Sequence, residues 1–157
     1  MKNRIFILAV LGLASAGGSG CMNLTGKDAA SIEFDKETSA DDARVIEDKT
    51  RMSLRTLESA VADYIKTEQR VPEKLDLLVP KYLAQIPSLE IPACGRESGQ
   101  VQNYPPSVLR DGQVDGSALR GTGRWGYVYD EARVVVFIDC LKPSSSGVPW
   151  YQMRGLN

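Results

Sequence analysis

The chain contains no histidine. That absence removes imidazole acid–base catalysis, Ser-His and Cys-His nucleophile pairs, and the commonest zinc ligand. An excess of one charge is also missing. Nineteen Lys and Arg stand against 20 Asp and Glu, a formal net charge of −1, and no basic patch marks a nucleic-acid surface. Long apolar runs are scarce. Ile5 to Ala16 is the main one, and it falls short of the roughly 20 residues that span a bilayer. No nucleophile–base pair, paired-carboxylate pattern or phosphate loop appears, and Gly121-Thr122-Gly123 is too short to be one. An enzyme is not expected, nor is a cofactor or a metal. Asp111 and Asp115 beside glycines suit turns, because a calcium loop needs more oxygen ligands at tighter spacing.

What is present begins with a signal. Lys2 and Arg4 precede the apolar stretch, and Gly17-Gly18-Ser19-Gly20 leads into Cys21. This is the anatomy of a secretory signal peptide. A cysteine directly after small residues resembles the lipobox of bacterial lipoproteins, with Gly18 where that motif usually has Leu. The expectation is residues 1–20 as a cleaved signal and Cys21 as the acylated residue, palmitate being a typical chain. Plain secretion and an uncleaved anchor are the alternatives. Two or more acyl chains suffice for stable attachment. The protein is then expected in the bacterial envelope, lipid-anchored and facing the periplasm. Met22 in place of an aspartate after the cysteine slightly favours the outer membrane.

The chain has three cysteines. With Cys21 acylated, Cys94 and Cys140 remain as a pair in an oxidising compartment, where a pair usually forms a disulfide. A metal site is the rival, and two thiols without histidine make a poor one.

Residues 21–38 are polar, with scattered Ile32 and Phe34, and read as a flexible tether. Residues 39–157 read as one domain. Ser39-Ala40-Asp41-Asp42 resembles a capping box and predicts a helix from about 40 to 69. Ile46, Thr50, Leu54, Leu57, Val61, Tyr64 and Ile65 recur on one face of it. The Leu54, Leu57, Val61 and Ile65 stripe is expected to pack on a sheet. Val71-Pro72 ends the helix, and Glu73 to Leu78 reads as a short second one. Residues 88–122 are punctuated by Pro and Gly and read mostly as loop, with a short edge strand near Gln100 to Tyr104. Trp125 to Tyr129 and Arg133 to Asp139 predict an antiparallel hairpin turning at Glu131-Ala132, and Val148 to Met153 predicts a third strand.

Helix first and sheet last is an α+β order. Leu54 to Tyr64, Arg70-Val71-Pro72, and Leu75 to Pro87 with its Pro80-Lys81-Tyr82-Leu83 and Ile86-Pro87 together resemble the globular domain of type IV pilin-like proteins, especially type II secretion pseudopilins. Gly123-Arg124-Trp125-Gly126-Tyr127, the run to Cys140 and the Ser/Gly turn into Trp150 resemble their C-terminal halves. The resemblance implies a long helix on a small antiparallel sheet and partners among secretion or pilus components. The chain departs from the family in lacking a prepilin peptidase site, so it resembles a pilin head on a lipid tether. The implied function is an accessory envelope protein acting by protein–protein contact. The alternative is a periplasmic ligand-binding lipoprotein in which Trp125, Tyr127 and Trp150 line a groove for saccharide or peptide.

Overall fold

The structure is a computed structural model. It describes residues 29–95 and 99–155, with residues 29–38 as backbone. Helix α1 runs over Ala29–Glu68, about 60 Å at 1.5 Å per residue. It starts ahead of the expected capping box, so Ser39 to Asp42 lie in its interior and part of the segment read as tether is helical. The physical reason is composition. Residues 29–38 hold no Gly or Pro, and adding turns to a helix already nucleated downstream costs little.

One stripe of α1 is buried: Glu47, Thr50, Leu54, Leu57, Val61 and Tyr64, at the three- and four-residue steps of a single helical face. Ile65 departs from the expectation. It is 37% exposed and sits at the margin of the stripe. After Gln69, whose φ is +56°, the predicted second helix is a single 3-10 turn, Leu75–Leu78, which buries Leu75 and Leu78.

The strands are β1 (Val101–Tyr104), β2 (Leu109–Arg110), β3 (Gln113–Val114), β4 (Trp125–Asp130) and β5 (Arg133–Ile138). The main sheet has the order β1-β4-β5. The predicted hairpin is present, with Trp125 opposite Ile138 and Asp130 opposite Arg133. The short edge strand expected near Gln100 to Tyr104 is present, but it differs from the expected antiparallel sheet in direction. It is β1, parallel to β4 from Val101↔Trp125 to Tyr104↔Val128, so the sheet is mixed. The Val148 to Met153 segment is not a strand. Pro149 offers no amide, and the amides of Gln152 and Met153 bond back to Pro149 and Trp150 in a 3-10 turn. Parallel pairing needs a long return, and residues 105–124 supply it, pairing β2 with β3 around Asp111-Gly112 on the way.

That return covers the second face of the sheet. One core cluster joins α1 to Trp125, Tyr127, Val136 and Ile138. The other joins Tyr104, Val108 and Val114 to Val128 and Phe137. A strand covered on both faces reads as a continuous apolar run, as Val134 to Ile138 does. Gly126 stands opposite Phe137, and a Cβ there would come within 2.3 Å of that ring.

Candidate functional site

The aromatic residues expected to line a groove are core residues. Trp125, Tyr127 and Trp150 are at most 4% exposed. Trp125 Nε1 donates to the Pro87 carbonyl at 2.6 Å, and the Tyr127 hydroxyl donates to the Pro72 carbonyl. Desolvation pushes the Tyr127 phenol above its ordinary range. Trp125 and Tyr127 are buried rings with their polar atoms satisfied, and Trp150 is buried, so the three do not line one open groove.

Cys94 and Cys140 are joined as a disulfide, with their Cα atoms 5.8 Å apart, inside the usual span for such a bond. It ties the turn after Ile91 to the end of β5. Gly123, at φ +71°, lies against the Cys94 carbonyl, where a Cβ would come within 2.4 Å. Among the described residues no group of three His, Cys, Asp or Glu side chains could hold a metal. Cys21 lies outside the described residues.

Two buried carboxylates are structural anchors. Asp139 is fully buried. It accepts hydrogen bonds from Tyr104 Oη at 2.8 Å, the Gly121 amide at 2.9 Å, and the Thr122 amide and hydroxyl at 3.0 and 2.5 Å. Burial, and donation to Asp139, push the Tyr104 phenol up to about 12 against the opposing contact with the Arg120 amide. Glu47, 5% exposed, pairs with Arg51 at 2.8 Å and holds the Ser145-Ser146 turn. With every donor directed at these carboxylates from the fold itself, neither is free to act on a ligand.

The open site lies elsewhere, in a cleft of about 710 Å³ between the last turns of α1 and the outer edge of β5. Val61 and Ile65 line it from α1, and Arg133, Val134, Val135 and Val136 from β5. Successive strand residues point to opposite faces. Four in a row can border one cavity only if it runs along the strand's edge. Hydrogen bonding gives the same picture. The Trp125 amide donates to Gln100 on the β1 side, so alternate β4 residues Trp125, Tyr127 and Tyr129 face β1 and the others face β5. Across the antiparallel register the backbone groups of Val134 and Val136 therefore point away from β4, into the cleft. Beyond the strand, the Tyr151 amide donates to the Cys140 carbonyl, so among the described residues the C-terminal segment covers that end of the edge and leaves the Val134–Val136 stretch open. No sequence signal marks this cleft, because it depends on where α1 overhangs a three-stranded sheet.

The cleft is basic on balance. Arg70, Arg133 and Arg154 border it with Glu58 and Glu131. Desolvation raises the Glu58 carboxyl, against the lowering effects of Arg154 and a hydrogen bond with the Gly155 backbone. No helix among the described residues is long and apolar enough to cross a membrane. No protein-family profile, curated protein or solved structure matches the chain.

Proposed function

We propose that this chain is a lipid-anchored envelope protein with a pilin-like head, acting by protein–protein contact as an accessory component of a type II secretion or type IV pilus-like system. The observation that carries the reading is the Cys94–Cys140 disulfide. It leaves Cys21 as the unpaired cysteine, directly after the small-residue run of an export signal. The general shape, one long helix on a small sheet, supports the pilin-like part. The buried aromatic rings and committed carboxylates leave protein contact as the better-supported activity. The envelope location and the choice of machine rest on the sequence resemblance.

Metabolic labelling with a clickable fatty acid tests the anchor. The wild type should be labelled and recovered in the outer-membrane fraction, while Cys21→Ser should lose both the label and the membrane association. Equal labelling of the two proteins rules the anchor out.

A further inference from the structure

We infer that the cleft between α1 and β5 receives an extended, acidic segment of a partner protein, which adds to β5 as a fourth strand. The inference rests on the protein-contact reading above and names the partner's chemistry. An open strand edge offers main-chain donors and acceptors, and pockets beside it select side chains. Here the Val134 and Val136 backbone groups are the open pairs, and Val61 and Ile65 of α1 form a roof over the place a fourth strand would take. Ile65, 37% exposed, borders that place.

Charge selects the occupant. Among the described residues no salt bridge engages Arg133, whereas Arg70 lies over the Tyr64 ring at 5.9 Å and acts on Glu68. Both stand with Glu131 on the cleft wall, and Arg154 acts on Glu58. On an incoming strand whose apolar side chains pack under α1, the alternate carboxylates turn to the other sheet face, where Arg133 lies beside Gly112, and a basic strand would be repelled there. The chain's own tether does not reach. From Ala29 to Glu58 the helix rises roughly 44 Å, and residues 21–28 extend at most about 28 Å. A second copy fits poorly. Antiparallel pairing of two β5 edges would bring both overhanging helices over the same sheet face and into one space. A bare strand has no such obstacle.

The test uses the full mature chain in lipid nanodiscs, screened against a displayed library of random decapeptides. The expected selection is of peptides alternating Val, Ile or Thr with Asp or Glu. The best peptide should slow amide exchange across 133–136. Arg133→Glu should weaken its binding about tenfold or more, the scale of one close charge pair, and a lysine-substituted peptide should regain affinity for that variant. Absence of any enriched peptide, basic peptides, protection at other amides, or unchanged binding by Arg133→Glu would each overturn the inference. A photo-crosslinker in cells separates it from its premise. Adducts at Ala132 or Ala62, which border the cleft, support it. Adducts only at Val45, exposed on α1, sink the cleft and leave protein contact standing. No protein adduct at any of the three sites sinks both.

Discussion

The carboxylate of Glu47 holds the turn at Ser146 from across the whole domain. It accepts from the Ser146 amide at 3.1 Å and the Ser146 hydroxyl at 2.9 Å, and from the Ser145 hydroxyl at 2.5 Å. Burial alone would raise its pKa, but the hydrogen bonds from Ser145, Arg51 and Ser146 win and take it from 4.5 to about 2. A folded pKa below the unfolded one means stability that is present above about pH 4.5 and lost as the pH falls towards 2. At about 1.4 kcal/mol per pH unit, the fall from 4.5 to about 2 contributes roughly 3–4 kcal/mol at neutral pH. Urea unfolding of the wild type and Glu47→Gln at pH 6.5 should differ by about that much. The difference should shrink steadily as the pH falls from 4.5 towards 2. A difference that stays constant over that range excludes the ionised latch.

The disulfide closes a loop between residues 46 apart, which by chain entropy is worth roughly 3–4 kcal/mol. Cys94→Ser with Cys140→Ser should lower stability by that amount under oxidising conditions, and the wild type should fall to the same level in reductant. Equal stability of oxidised and reduced wild type would show that the bond constrains nothing.

Gly126 and Phe137 make a more local test. The ring of Phe137 lies where the Gly126 Cβ would be, so Gly126→Ala overpacks the sheet and should cost about 1–3 kcal/mol. Phe137→Leu removes the obstructing ring edge at its own cost. The double variant should then be more stable than the sum of the two single losses implies, by at least about 0.5 kcal/mol. Simple additivity would mean that the ring swings aside freely.

The helical stripe separates a core residue from a marginal one. Leu57 is fully buried and Ile65 is 37% exposed. Leu57→Ala should cost about 2–5 kcal/mol. Ile65→Ala should cost clearly less, about 1 kcal/mol, since little apolar area leaves water there. Comparable losses would mean that the cleft beside Ile65 is closed in solution.

These residues also show how far the sequence could be read. The helix stripe, the β4–β5 hairpin and the cysteine pair follow from local period, β-branched runs and counting, and each is in the structure. Direction and partners were harder. Val101 to Tyr104 is short and set among turns, and nothing local says whether such a strand runs parallel or antiparallel. Trp125 and Tyr127 alternate with Gly126 and Val128 as a one-sided strand would, yet both faces are covered: α1 buries Trp125 and Tyr127, and the distant return of residues 105–124 buries Val128. Glu47 carries no local sign of burial, because its serine partners lie 98 and 99 residues away. The cleft had no signal of its own, being the space left by a strand the sheet lacks.

The pilin-like shape raises the question of assembly into fibres, and the helix surface argues against it. A fibre core needs an apolar helix that survives processing, and the main apolar stretch of this chain lies ahead of Cys21, within the expected signal. The helix that remains is amphipathic. One stripe is committed to the domain core, and the exposed side carries Asp41, Asp42, Arg44, Asp48 and Lys49. Packing that side into a fibre would bury several charges, at several kcal/mol each after relaxation. We expect the protein in the envelope fraction as a monomer or in a small complex, and absent from sheared surface filaments as a major subunit. Immunoblots of both fractions from the same cells check this. Abundant wild-type protein in the filaments would overturn it, and loss of filaments on deletion, with none of the protein inside them, would match an accessory role.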